Sequence, residues 1–178
     1  MFFRKIYGKL KLKKLYYNGL KYGNNLNVEK GVIIDPSAPW LIEIGNNVTL
    51  APYVHILSHD ASTKFFVGYT KLGKVKIGNN VFIGAKSVVL PNVVIGDNVV
   101  IAANSVVSRD VPSNSVVAGS PAKEIMSIQE FIDKHMKVIN KNNVFYRKKI
   151  NNKKVVTNDL KNDILSKLSN DSSIIYID

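Results

Sequence analysis

Cysteine is absent from the 178 residues, which excludes disulfides, thiolate metal ligands and a cysteine nucleophile at once. Histidine is scarce, with His55, His59 and His135 as the only three, so any imidazole chemistry must use one of them. No apolar run approaches the roughly 20 residues of a membrane-crossing helix. The opening Met1-Phe2-Phe3-Arg4-Lys5 is followed by lysines every few residues, so it never builds the core of a secretion signal. A cytoplasmic protein is the expectation. What remains is globular in composition, with 46% hydrophobic and 21% charged residues, and the length suits one domain with an appendage.

The formal net charge of +12 is unevenly spread. Residues 1–21 hold Arg4, Lys5, Lys9, Lys11, Lys13, Lys14 and Lys21 with no acid. Residues 22–126 carry eight basic and seven acidic residues, and residues 127–178 carry ten and six. A continuous basic stripe for tracking phosphates is missing, which argues against a nucleic-acid partner. Residues 1–21 read as a basic amphipathic element, with Phe3, Ile6, Tyr7, Leu10 and Tyr17 at helical spacing. It either packs on the domain or touches an anionic membrane surface at the inner face.

The middle of the chain repeats. Ile77, Ile83, Val89, Ile95, Ile101 and Val107 recur every six residues. Val81, Ser87, Val93, Val99, Ser105 and Val111 follow them four positions on, and Ile44, Leu50 and Ile56 carry the same phase upstream. Six is not a helical period. It fits a short strand ended by a sharp corner, with pairs such as Asn46-Asn47 and Asn79-Asn80 tolerating the backbone angles of that corner. Three strands make a coil of about eighteen residues, and stacked coils bury aliphatic ladders that no single coil could bury.

Ile-Gly-x-x-Val and Ile-Gly-x-x-Ser-Val, together with Val106–Pro112 and Val117-Ala118-Gly119-Ser120-Pro121-Ala122-Lys123, resemble the hexapeptide-repeat acyltransferases. Within that family the chain is most similar to maltose, galactoside and surface-polysaccharide O-acetyltransferases. The resemblance covers residues 22–126. It implies an all-β core, a left-handed parallel β-helix, acetyl-CoA as co-substrate and a homotrimer with sites between neighbouring coils.

Two breaks interrupt the repeat. Ile34 to Ile44 is ten residues, around Pro36, Pro39 and Trp40, and Ile56 to Ile77 is twenty-one. The second break predicts an external loop over about 59–75, where function tends to sit. His59 lies at its root. An imidazole, titrating near 6.5 when unperturbed, suits proton removal from a sugar hydroxyl attacking a thioester. The family's general base is a histidine at this point in the phase, which falls on His59. Asp60 is expected to orient the ring or meet substrate, and His55 to lie on the outer surface or contact substrate. A metal site is not expected, since there is no thiolate and the third histidine, His135, lies beyond the repeat.

The resemblance also implies that Phe82 flanks the active site, in place of the family's usual Trp, and that the backbone at Ala85 and Ala103 meets the pantetheine arm. Simple corner packing explains the two alanines equally well. By the same resemblance Arg109 and Lys123 fall where the family places basic residues near the coenzyme phosphates, with a solvated surface charge the equal alternative for each, and a further position that is basic in some members is Met126 here. The maltose-type enzymes have an asparagine near Gly31 or Val32, which neither can replace, so Asp35 is the nearest polar candidate for the acceptor. After the repeat, residues 127–178 begin with the capping box Ser127-Ile128-Gln129-Glu130 and a helix through His135 and Met136, expected to lie on the last coil. A second helix near Asp159–Leu168 and a strand at Ser173–Tyr176 follow. The functional expectation is acetyl transfer to a sugar hydroxyl without an acyl-enzyme. N-acetylation of an amino-sugar nucleotide and a silent β-helix scaffold are the alternatives.

Overall fold

The computed structural model describes residues 12–139, 143–150, 153–170 and 174–178. The chain divides into two compact units, Met1–Phe131 and Ile132–Asp178. Among the described residues no helix is long and apolar enough to cross a membrane.

The first unit is made of very short parallel strands. Each of the twelve repeat positions from Ile77 to Val111 is buried, from 0% exposed at Ile83, Ser87 and Ile101 to 6% at Val111. The strands visit three sheets in rotation. The first holds β1 (Lys21–Tyr22), β4 (Ile42–Ile44), β9 (Val75–Ile77) and β12 (Val93–Ile95). The second holds β2 (Asn27–Val28), β5 (Thr49–Leu50), β10 (Val81–Ile83), β13 (Val99–Ile101) and β15 (Ser115–Gly119). The third holds β3 (Ile33–Ile34), β6 (His55–Ile56), β11 (Val88–Val89) and β14 (Val106–Val107). Aliphatic pairs such as Val81 and Ile83 point into the common core while Phe82 between them points out, because side chains alternate along a strand. Serines at core positions are satisfied: Ser87 Oγ donates to the Ala102 carbonyl at 2.9 Å, and Ser105 Oγ accepts from Gly119 N–H at 3.1 Å.

Corner chemistry follows the sequence. Asn25, Asn47, Asn80, Asn98 and Asn114 all have φ between 55° and 62°. Their side-chain amides join coil to coil, Asn47 donating to Asn80 and Asn80 to Asn98 at 3.0 Å each. Glycine is needed where coils touch: a Cβ on Gly84 would sit 2.7 Å from the Ala102 carbonyl carbon. Replacing Asn80 with alanine is expected to cost about 1–2 kcal/mol in a denaturant titration, since the Cβ stays on a left-handed backbone while the amide that links Asn47 to Asn98 is lost. Asn80→Gly should recover only the backbone part of that loss, since it too lacks the amide.

Register shows where the repeat is broken. Partners on successive coils are 22 residues apart from Lys21 to Glu43, 33 from Asn46 to Asn79, and 18 from Asn79 to Asp97. The first excess is taken up by residues around a 3-10 turn at Pro39–Leu41. The second is the external loop, built from β7 (His59–Asp60), a helix α2 (Ser62–Val67) and β8 (Lys71–Leu72). β7 and β8 pair antiparallel, His59 opposite Leu72. The residues ahead of β1 include a helical segment, α1, at 12–17. Leu15 and Leu20 join the core, while Tyr17 is 72% exposed, so the apolar face expected to include Tyr17 is set by Leu12 and Leu15 instead. Phe3, Ile6, Tyr7 and Leu10 lie outside the described residues.

After Gly119 the chain reverses, and β16 (Ala122–Ser127) pairs antiparallel with β15 as the outermost strand of the second sheet. Helix α3 (Ile128–Val138) follows with the predicted capping box: Ser127 N–H donates to Glu130 at 2.7 Å and Glu130 N–H returns to Ser127 Oγ at 3.1 Å. In the second unit, β17 (Val144–Phe145) pairs with β20 (Tyr176–Ile177), β18 (Lys148–Ile150) pairs with β19 (Lys153–Val155), and α4 spans Asn158–Asn170. The predicted helix near 159–168 is α4. The predicted strand shifts to Tyr176–Ile177, and residues 171–173 lie outside the described ones. His135 Nδ1 lies 3.0 Å from the Tyr176 hydroxyl.

Candidate active site

Both breaks in the repeat occur straight after a third-sheet strand, one coil apart. Asp35 follows β3 and Leu57 follows β6, whose residues are direct neighbours, Ile34 opposite Ile56. The Asp35 N–H donates to the Ile56 carbonyl at 2.9 Å, which stacks the first insertion on the root of the second. Side chains from the two insertions therefore meet at one corner.

They meet as a carboxylate behind an imidazole. Asp35 is 1% exposed. Its Oδ2 accepts from Ser58 N–H at 2.9 Å and lies 2.9 Å from Ser58 Oγ and 2.5 Å from His59 Nδ1. Its Oδ1 accepts from Ser37 N–H at 2.9 Å, closing a tight turn at Pro36. Burial alone would raise the carboxyl's pKa, but hydrogen bonds from His59, Ser37 and Ser58 outweigh it and hold it down from 3.8 to about 2. The ion is thus kept charged against burial, and with Nδ1–H donated to it the Nε2 nitrogen carries the ring's lone pair. The His59 side chain is 34% exposed, at the edge of a cavity of about 260 Å³ lined by Leu57, His59, Asp60, Lys71, Leu90, Pro91 and Ser108. Leu57, Leu90 and Ser108 are each the residue after a third-sheet strand, so they stack along the corner.

A pH prediction follows from Asp35. Its folded pKa is depressed, so its contribution to stability is present above about pH 4 and is lost as pH falls toward 2. The stability gap between wild type and Asp35→Asn is expected to be full at neutral pH and to shrink steadily from pH 4 to pH 2 in denaturant titrations. A gap that stays constant across that window would deny the carboxylate its place.

The other expected residues are placed as follows. Asp35, expected at the acceptor, stands behind His59 with both oxygens engaged. Asp60, expected to orient the ring or meet substrate, lines the cavity; its Oδ1 accepts from Ser62 N–H at 2.9 Å and its Oδ2 lies 3.4 Å from Lys71 Nζ. Ser62, then Lys71, hold its carboxyl below the usual range. His55 sits on β6, half-buried, outside the cavity lining. Phe82, 46% exposed, points outward from β10 on the second sheet. Ala85 and Ala103 lie on adjacent coils at the corner after it, joined through Asn104 N–H to the Ala85 carbonyl at 2.8 Å. Arg109 is exposed directly after cavity-lining Ser108, and Lys123 is exposed on β16 opposite Ala118. One corner thus gathers His59, Asp60 and Asp35, while Phe82, Ala85 and Ala103 stand on another. Lys71 was not singled out from sequence; the antiparallel pairing of the loop strands brings it to the cavity. Among the described residues no group of three His, Asp or Glu side chains is placed to hold a metal ion.

Residues 74–109 match the family model described as bacterial transferase hexapeptide (six repeats). The chain is 42% identical to Protein CapG of Staphylococcus aureus over 148 residues, covering 79% of this chain and 80% of CapG. The chain belongs to the hexapeptide-repeat transferases. Among solved structures, a maltose O-acetyltransferase from Clostridium difficile 630 is 33% identical with a TM-score of 0.52, covering 64% of this chain and 72% of that one. A hexapeptide-repeat acetyltransferase from Vibrio cholerae O1 biovar eltor, complexed with acetyl coenzyme A, is 29% identical with a TM-score of 0.56, covering 61% and 60%. This hexapeptide-repeat transferase is accordingly an acyltransferase of the acetyl-CoA-dependent kind.

Proposed function

We propose that the protein is a left-handed β-helix O-acetyltransferase that moves an acetyl group from acetyl-CoA to a sugar hydroxyl in surface-polysaccharide synthesis. The observation that carries this reading is the Asp35–His59 pair at the edge of the corner cavity. His59 Nε2 takes the proton as the acceptor oxygen attacks the thioester carbonyl, and it returns that proton to the departing thiolate. The acyl group passes directly to the acceptor, with no covalent enzyme adduct. Asp35 is a positioning residue: it fixes the tautomer and steadies the imidazolium that forms transiently.

Leu57, Leu90 and Pro91 give the cavity an apolar lining suited to the thioester end of the coenzyme. Asp60, with His55 at greater remove, is assigned to the acceptor side. Phe82, Ala85 and Ala103 are assigned to the pantetheine arm, and Arg109 and Lys123 to the coenzyme phosphates. The position of Ala85 and Ala103 on a different corner from His59 supports a homotrimer, in which one copy supplies the imidazole and its neighbour the coenzyme-facing backbone.

The test is thiol release from acetyl-CoA, followed across neutral sugars, lipid- or nucleotide-linked sugars and amino-sugar nucleotides. Release with a sugar lacking a free amine is expected. Release with amino-sugar nucleotides alone would make the enzyme an N-acetyltransferase. No release with any acceptor, and no coenzyme binding, would make the β-helix a scaffold.

A further inference from the structure

The N-terminal element presents a face that the transfer chemistry does not use. Leu15 and Leu20 anchor it, 5% and 1% exposed in the core of the first unit. On its open side stand Tyr16, Tyr17 and Tyr22, exposed at 57%, 72% and 39%. Their rings contact edge to face, with centroids 6.0 Å apart for Tyr16 and Tyr17 and 5.9 Å for Tyr16 and Tyr22. Trp40, 57% exposed, joins this side, since a Cβ on Gly19 would lie 2.7 Å from the Trp40 Cβ. Lys13 Nζ is 5.9 Å from the Tyr17 ring centroid, and Lys14 is exposed beside it. Lys21 alone of these is neutralised, by Glu43 at 3.0 Å.

Charge is complementary to one kind of partner. The first 21 residues carry seven cations and no carboxylate, whereas the coils that follow are nearly neutral. Three clustered tyrosines, with exposed Trp40 against Gly19 of the same element and lysines among them, form the residue mixture that settles at the headgroup level of a bilayer, rings in the apolar margin and ammonium groups at the lipid phosphates. A nucleic acid would draw on the same charge, but the basic residues do not continue as a stripe along the molecule. We infer that the N-terminal element, through Lys13, Lys14, Tyr16 and Tyr17 and with Tyr22 of β1 and Trp40 beside it, docks the protein on an anionic lipid surface.

Trp40 is the only tryptophan in the chain, so its emission reports docking without any acetyl-transfer assay. With the full-length protein, vesicles of equal phosphatidylglycerol and phosphatidylcholine are expected to shift that emission to the blue and to carry the protein down on sedimentation. Phosphatidylcholine vesicles should do neither. Raising salt from about 0.1 M to about 0.5 M should release the protein, as the screening length falls. Each lysine near such a surface is worth about fivefold in binding, so Lys13→Gln/Lys14→Gln should weaken it roughly 10- to 30-fold. The same charge change at Lys134→Gln/Lys137→Gln, in the second unit, should leave it within about twofold. The inference is overturned by equal binding to phosphatidylcholine alone, by no emission shift on anionic vesicles, by an equal loss in the second pair, or by duplex DNA competing the protein off the vesicles as tightly as lipid holds it.

Discussion

Replacing His59 with alanine is expected to lower kcat for acetyl transfer by about 10²- to 10⁴-fold, the usual worth of a positioned general base. The ring is one-third exposed at a cavity edge, so removing it leaves no large void, and KM for acetyl-CoA should move less than kcat. His59→Asn separates base from scaffold. The asparagine amide can donate toward Asp35 from near the place of Nδ1–H, yet it offers no nitrogen lone pair to take a proton. It should fold within about 1 kcal/mol of the parent and be as inactive as the alanine variant. His55→Ala, on β6 and outside the cavity lining, should cost far less than His59→Ala, because a residue at the remoter acceptor side takes no proton. Turnover by His59→Ala within threefold of the parent would remove the imidazole from the chemistry.

The coils were legible because every hexad makes the same physical demand. Ile83 and Ile101 occupy equivalent sites one coil apart, both 0% exposed, so the constraint is written six residues at a time. The loop was legible as a loss of phase, but its contents were not: α2 spans six residues, too few to show a helical period. Its real signals are punctuation, with Asp60 accepting from Ser62 N–H at its start and Gly68 at φ 80° ending it. The Asp35–His59 pair was also hidden, since the residues are 24 apart and no motif spans them. The clue was the common phase of the two breaks, after Ile34 and after Ile56. Two insertions at the same corner on consecutive coils must lie one on the other, and a buried carboxylate in the first has only the second to pair with. The antiparallel return of β16 gave no sign of itself, because Ala122–Ser127 carries no alternation of buried and exposed residues.

Asp35→Asn is expected to lower kcat by about 10²-fold or more while leaving acetyl-CoA binding within a few fold, because Asp35 acts only through the ring. The carboxylate accepts on both oxygens: Ser37 N–H on Oδ1, and Ser58 N–H with His59 Nδ1–H on Oδ2. An asparagine amide has one oxygen and one NH₂. If its oxygen faces Ser58 and His59, the NH₂ opposes Ser37 N–H; if it faces Ser37, the NH₂ opposes Ser58 N–H and turns the imidazole to the wrong tautomer. Either orientation sets donor against donor at a site 1% exposed, so a stability loss of about 1–3 kcal/mol should accompany the kinetic one. The two effects separate in a second variant. Ser37→Pro removes the donor to Oδ1 and leaves the His59 contact in place, so it should cost stability while keeping kcat within about threefold of the parent. A kcat for folded Asp35→Asn no lower than that of Ser37→Pro would reduce Asp35 to a corner brace.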